Sequence, residues 1–281
     1  MSAGAGVRLF EGARAVVALA PDDRGLAYGD GLFETLRVHA GTLPWWDAHW
    51  VRLAHGAARL GIALPDARQA RAESEALFAD GAHGVLKLLL SRGGGARGYA
   101  PAPGAKPRWM LSRHPLPGAA APLHAIWCET RLALQPALAG LKHCNRLEQV
   151  LARAECVAAG ADEGLVRDME GTVVAGTAAN LFVLREGRWL TPPVDRCGVA
   201  GTCRAVLVPA LAASEQRLQR ADVETADAVF LCNAVRGILP VARLGTRTWQ
   251  SHPAIAQARD ALGRSHPGFA PGQSGRPAEA G

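Results

Sequence analysis

The sequence predicts a mixed α/β (α+β) chain of two units. Three observations carry that expectation. The chain has 281 residues, more than the ~100–200 of a typical single domain. Short apolar runs with strand character are interleaved with segments of helical period. Residues 114–122, HPLPGAAAP, hold three prolines and break the pattern, which marks a boundary. The division expected is an amino-terminal α/β unit over 1–115, a linker over 116–122, a second unit over 123–264 and a disordered Pro/Gly/Ser-rich tail over 265–281.

The elements follow in order. Residues 32–38 (LFETLRV) alternate and are followed by HAGT, a turn sequence, so a hairpin is expected there. Asp47 is placed to cap a helix that runs to Gly61, with Trp50, Leu53, Ala57 and Leu60 at helical spacing. A second helix is expected over 66–79. VLKLLLS (85–91) reads as a buried strand, RGGGARGY (92–99) as a loop, and 107–113 as a returning strand. In the second unit, Asn145 with Glu148 looks like a helix start, and Leu147, Val150, Leu151 and Ala154 form its apolar face. Strands are expected at 164–168, 172–175, 178–184 and 228–234. A helix opens at Gly201-Thr202 and covers 203–213.

Composition excludes several classes. Apolar residues make up 49% of the chain, enough for a sizeable core, and Gly and Pro together stay below the low-complexity range. No uncharged apolar run approaches the ~18 residues of a membrane span, and Arg8, Glu11 and Arg14 interrupt the stretch where a signal peptide would be apolar. The six cysteines form no CxxC pair, so neither a zinc site nor a disulfide framework is expected, and no metal is assigned. Reduced thiols in a cytoplasm fit better. The net charge of +6 invites a nucleic-acid reading, but the arginines are spread along the chain in no basic block. A solvated basic surface, or a site for a small anion, accounts for them.

Lysine usage is more informative. Only Lys87, Lys106 and Lys142 are lysines among 31 basic residues. In a chain that supplies arginine for generic positive charge, a lysine can mark a place where a primary amine is needed, because a guanidinium cannot form a Schiff base. Lys142 lies in AGLKHCN before a helix start. In a cleft, desolvation and a positive helix end would free its amine for attack on a carbonyl; read alone it is a surface lysine before a helix. Lys87 sits mid-strand and reads as a sheet-edge or snorkelling lysine. Lys106 precedes a proline in a loop. GVAGTCR (198–204) places glycines immediately before a helix, where free amides and the helix dipole suit a phosphate, although a plain helix start would look the same. An amine, a phosphate-type turn and an arginine (Arg52) are what pyridoxal 5′-phosphate requires.

These stretches resemble the class IV, fold-type IV pyridoxal-phosphate enzymes and, among them, the 4-amino-4-deoxychorismate lyases. DRGLAYGDGLFETLRV (23–38) with HWVRL (49–53) is similar to the family's amino-terminal signature. LAGLKHCNRLEQVLAR (138–153) is similar to the lyase form of the lysine segment, and ADEGLVRDMEG…AANLF…TPP…GVAGTCR (161–204) to the cofactor-cradling strands and phosphate turn. The resemblance spans roughly residues 20–245. It implies a D-amino-acid aminotransferase-like two-domain fold, a homodimer, and pyridoxal 5′-phosphate held as a Schiff base on Lys142. It also implies phosphate contacts from Arg52, Thr202, Cys203, Asn233 and Ala234, and substrate contacts from Arg97, Tyr99 and Tyr28. The implied activity converts 4-amino-4-deoxychorismate to 4-aminobenzoate and pyruvate, a step towards folate, with no nucleic acid or membrane partner.

One position departs from the pattern. The family places a glutamate, partner of the cofactor's ring nitrogen, five residues before the Asn of NLF. Here that position is Ala175, and the nearest upstream carboxylate, Glu170, lies in a turn. An aminotransferase depends on strong carbanion stabilisation by the ring. The lyase has aromatisation as a second driving force, and so survives the loss better. The alternatives that remain are a branched-chain or D-amino-acid aminotransferase and a divergent member with lost or altered cofactor use.

Overall fold

A computed structural model describes residues 6–95, 97–119 and 121–270. The chain divides into two compact units. The first is Met1–Leu116 with Leu141–Asn145, and the second is Pro117–Gly140 with Arg146–Gly281.

The first unit is an antiparallel sheet with helices on one face. Its elements are β1 (Val7–Glu11), β2 (Arg14–Val16), α1 (Arg24–Tyr28), β3 (Gly31–Val38), α2 (Trp46–Leu60), α3 (Ala67–Ala76), β4 (Gly84–Ser91) and β5 (Arg108–His114), with strand order β2-β1-β5-β4-β3. Alternation along β3 sends Leu32, Glu34, Leu36 and Val38 to the buried side and leaves Phe33, Thr35 and Arg37 half-buried. Helix α2 covers the buried side with Trp46, His49, Leu53, Gly56 and Ala57. The expected hairpin after residue 38 does not form. His39 and Thr42 make one isolated bridge around Ala40 and Gly41, both at positive φ, and the chain enters α2; β3 pairs instead with the distant β4. Asp47 lies in the first turn of α2, while Trp45 takes the cap position. Gly61 ends the helix at φ 63°.

The lysine segment belongs to this unit, although it falls within the stretch expected to form the second. Leu32 bridges His143, the Phe33 amide donates to the Lys142 carbonyl at 3.0 Å, and the Cys144 amide donates to the Gly31 carbonyl at 2.9 Å. β3 is the last strand of its sheet, and its open edge is what residues 141–145 occupy.

The second unit contains β6 (Leu123–Leu132), α4 (Leu147–Ala158), β7 (Glu163–Asp168), β8 (Val173–Gly176), β9 (Asn180–Arg185), β10 (Arg188–Thr191), α5 (Thr202–Ala210), β11 (Ser214–Glu215), α6 (Arg220–Glu224), β12 (Ala228–Asn233), β13 (Gly237–Leu244), β14 (Arg247–Thr248) and α7 (Pro253–Ser265). The strands follow the order β11-β10-β9-β12-β13-β6-β7-β8, with β14 on β13. A single pair, Ala175 with Asn180, joins β8 back to β9 and closes six strands into a ring. Its core includes Leu165, Val173, Leu181, Val183, Val229, Leu231 and Leu239.

Two expectations for this unit are corrected. Helix α4 buries Ala152 and Cys156, whereas Leu147, Val150 and Leu151 are 77%, 59% and 59% exposed. Small residues allow the helix to sit close to the sheet, so the larger apolar side chains point away. The tail is ordered beyond residue 265: His266 is buried, and a 3-10 turn, Pro267–Phe269, lays Phe269 against Gly237. Residues 271–281 lie outside the described residues.

Candidate functional site

In the first unit the chemistry gathers around β3. Glu34, buried under α2, takes Nε of Arg52 at 2.8 Å on one carboxylate oxygen, and Nη2 of Arg52 on the other. Such two-pronged pairing is the geometry a guanidinium favours. His49, one turn before Arg52 on the same helix face, donates from Nδ1 to Glu34 at 2.6 Å. Burial alone would raise the Glu34 carboxyl, but the hydrogen bonds and charge of Arg52, and then of His49, hold it down to about 2. For His49, burial outweighs the pull of Glu34, and its pKa falls below the usual histidine value. His49 is therefore neutral at pH 7, and its buried Nε2 has no hydrogen-bond partner among the described residues. Arg52, expected at a phosphate, thus has its Nε and Nη2 engaged by Glu34. Glu34 and His49 were not singled out in the sequence, although both lie in the quoted FETLRV and HWVRL stretches. The signal was there in a mid-strand acid among apolar neighbours.

Lys142 sits half-buried beside this cluster, with Nζ 4.1 Å from the centroid of the Phe33 ring. The stacking is cation–π in kind. The segment that carries it is fixed at both ends, by the backbone bonds to β3 and by Asn145, whose Nδ2 donates to the Gly29 carbonyl at 3.0 Å.

The loop after β4 forms a second group in the same unit. Tyr28 accepts the Gly98 amide at 3.2 Å, and its ring lies 5.5 Å from that of Tyr99. The expected substrate-side residues Tyr28 and Tyr99 therefore meet, while Arg97 is exposed between them in sequence. Arg24 organises the loop, a role its sequence context did not reveal. Its guanidinium is buried, is held by Asp30 at 2.8 Å, and donates to the carbonyls of Gly98 and Tyr99 at 2.9 and 2.7 Å. Asp30 also binds Arg92, which reaches the Leu60 and Gly61 carbonyls at the end of α2.

In the second unit the phosphate-type turn is built on Asn180. Its Nδ2 donates to the Val199 carbonyl at 2.9 Å, and a Cβ at residue 201 would overlap its Oδ1, so Gly201 is required by space. Helix α5 starts on that glycine without a side-chain cap, which leaves its first-turn amides for an anion. Thr202 Oγ1 is buried and has no hydrogen-bond partner among the described residues. A buried hydroxyl in that state is unfavourable unless a ligand meets it. The Cys203 side chain points away from such a ligand: it is buried against Cys232, and burial pushes its thiol up. Only its backbone amide is on offer. Asn233 accepts the Val235 and Arg236 amides at 3.0 and 2.8 Å, and its Nδ2 donates to the Ala178 carbonyl at 3.3 Å, so it shapes the turn that carries Ala234. Gly140, two residues before Lys142, pairs with this region through Val199.

Ala175 lies in a compact apolar cluster with Cys128, Leu132, Ala152, Cys156, Val166 and Val174. Burial pushes the Cys128 thiol up to about 12, so that thiol stays protonated. Glu170 does not stand in: its side chain is 57% exposed and ion-paired with Arg196. Among the described residues no group of His, Cys, Asp and Glu is placed to hold a metal ion, and no helix is long and apolar enough to cross a membrane.

Comparison with known proteins gives the family and the fold. A crystal structure of 4-amino-4-deoxychorismate lyase from Pseudomonas aeruginosa superimposes with a TM-score of 0.83 at 44% identity, covering 91% of this chain and 98% of that one. The aminodeoxychorismate lyase of Vibrio harveyi is 34% identical over 234 residues, 78% of this chain and 85% of the relative. The D-alanine aminotransferase of Bacillus licheniformis is 26% identical over 254 residues, 86% of this chain and 87% of the relative. The architecture is that of fold-type IV. The amino-transferase class IV family matches residues 31–244, and the chain belongs to that family.

Proposed function

We propose that this chain is a pyridoxal-phosphate-dependent aminodeoxychorismate lyase, which converts 4-amino-4-deoxychorismate to 4-aminobenzoate and pyruvate. The observation that carries the reading is the Lys142 segment, pinned to the edge of β3 with its amine over Phe33. The likeness to two lyases supports it. The residues present fit the cofactor: Thr202 Oγ1 is a buried hydroxyl awaiting an acceptor, and the uncapped start of α5 suits a dianion.

When bound, pyridoxal 5′-phosphate supplies an aldehyde for amines and a ring that withdraws electrons. The remaining work falls to the protein. Lys142 would hold the cofactor through its amine, and that amine would take the proton from ring carbon C4 and return a proton to the departing enolpyruvyl group. The C4–H and C3–O bonds break, and the ring becomes aromatic. The amides of Thr202 and Cys203, the Thr202 hydroxyl and the Asn233–Ala234 turn would hold the cofactor's phosphate, and Arg52, whose charge Glu34 tempers, would add a guanidinium. Arg97 meets a substrate carboxylate, and Tyr28 and Tyr99 line that side. Ala175 favours the lyase over an aminotransferase, because an apolar cluster stands where the ring nitrogen's carboxylate partner is expected.

Incubation of purified protein loaded with pyridoxal phosphate with 4-amino-4-deoxychorismate tests the assignment by the fluorescence of 4-aminobenzoate. Formation of that product, with no half-reaction on D-alanine or branched-chain amino acids, is expected; the reverse pattern sinks it. Thr202→Val lowers affinity for pyridoxal phosphate about tenfold, the scale of one hydrogen bond to a charged group, and leaves affinity for unphosphorylated pyridoxal unchanged. Equilibrium dialysis of both ligands reads the difference.

The chain is proposed to act as a homodimer in the cytoplasm. The exposed Leu147, Val150 and Leu151 stripe on α4 supports association, and six free thiols suit a reducing compartment. Light scattering is expected to give roughly twice the 29.4 kDa chain mass, and Leu151→Glu to shift it towards the monomer.

A further inference from the structure

The half-buried face of the first unit's sheet carries a second amine beside Lys142. Thr35 pairs with Lys87 and Phe33 with Leu89 across β3 and β4, and Lys87 pairs with Ser112 on β5. β4 therefore lies inside the sheet, between β3 and β5, and Lys87 is neither an edge lysine nor one that can reach water around an edge, as its sequence context suggested. Its Nζ lies 5.6 Å from the Phe33 ring centroid, the ring that Lys142 also approaches. Both amines surround one point, so they are no more than about 10 Å apart. Among the described residues no carboxylate pairs with Lys87. Lys87 is half-buried in mid-strand, with the Phe33 ring beside its amine, which leaves that amine available to an anion.

We infer that Lys87 is a specificity-determining residue that binds a carboxylate of the substrate, at the end of the ring opposite the amine that reacts at Lys142. The inference rests on the lyase reading. In 4-amino-4-deoxychorismate the C1 carboxylate and the C4 amine occupy opposite ends of one six-membered ring, a span of the same order as the separation of the two lysines. Arg97 then serves the second carboxylate, on the enolpyruvyl group. The aromatic face of Phe33 gives the flat ring a floor between the two amines. A simple amino acid presents its carboxylate on the carbon that bears its amine and cannot reach Lys87. The residue thus selects for a long, rigid dicarboxylate.

The test compares the wild-type holoenzyme with Lys87→Met, which keeps the apolar stem, and Lys87→Arg, which keeps the charge. Two readouts are needed: the KM and kcat for 4-amino-4-deoxychorismate, and the calorimetric Kd for chorismate, which has both carboxylates but a hydroxyl in place of the amine. Lys87→Met is expected to raise KM and the chorismate Kd by about ten- to a hundredfold, the scale of a lost charge-assisted contact. It should change kcat less than about threefold and leave pyridoxal phosphate affinity unaltered. Lys87→Arg is expected to recover part of the chorismate affinity. Unchanged KM and Kd in Lys87→Met overturn the inference, as does a fall in kcat with loss of cofactor binding, which would place Lys87 on the cofactor or in the fold. A wild-type protein that neither makes 4-aminobenzoate nor binds chorismate overturns the lyase reading itself. A wild type that makes the product while Lys87→Met matches it leaves that reading intact and removes only this one.

Discussion

Lys142→Ala is expected to abolish both the cofactor's borohydride-sensitive absorption, between about 330 and 430 nm, and the formation of 4-aminobenzoate. The fall in kcat should be at least about a thousandfold, since one residue serves as both attachment point and proton carrier. Lys142→Arg should be equally inactive: a guanidinium keeps the charge over Phe33 but neither condenses with an aldehyde nor gives up its proton near neutrality. His49 is uncharged, and Glu34 offsets Arg52. Thermal melts should show both variants folded, because the segment is held to β3 through backbone bonds at Phe33 and Cys144 that a side-chain change leaves in place. Full activity in Lys142→Ala would rule out the mechanism.

Glu34→Gln is expected to destabilise the protein by about 3–5 kcal/mol at pH 7, because it leaves the largely buried Arg52 charge without its partner. The corresponding fall in melting temperature is on the order of 10 °C. Its dependence on pH identifies the cause. Between the ordinary carboxylate value of 4.5 and about 2, the folded carboxylate resists protonation while the unfolded one accepts it. The stabilisation is complete above that window and fades as acidity increases through it, a change of about 3 kcal/mol over the whole span. The gap between wild type and Glu34→Gln should therefore be widest at neutral pH and shrink towards pH 2. His49 acts in the same direction at a higher pH: its depressed pKa means the unfolded chain gains a proton first as pH drops below 6.5. Melts at pH 7, 5 and 3 check both. A gap that stays constant with pH would show that Glu34 acts through packing alone.

The parts of this fold that were legible were those with strong local signals. β4 and β12 are uninterrupted apolar runs, α2 ends on a glycine in the left-handed region, and the turn at Glu186-Gly187 separates two clear strands. Elements set by distant partners were missed. β1 is short and partly polar and takes shape by pairing with the distant β5, with β2 in turn paired on β1, and β6 is stabilised by parallel neighbours β13 and β7. Helix α4 showed the limit of period alone: two stripes lie on its surface, and the smaller residues face inwards because the sheet leaves room only for them. The site divides the same way. Lys142, Arg52 and Thr202 stood out by motif. Glu34, His49 and Arg24 did not, since their importance lies in side chains far away in sequence. Lys87 was read as an edge residue because strand order is invisible to a local pattern.

Asn180 gives the turn proposed to hold the phosphate an unusual mechanical footing. Its backbone forms the seam that closes the ring of strands, its amide grips the Val199 carbonyl, and it fills the space a side chain at residue 201 would need. The turn before α5 and the closure of the strand ring are thus one part. Libraries that randomise 199–201 to admit a different anionic headgroup should return few folded clones, and retuning of headgroup preference is better sought one turn further into α5.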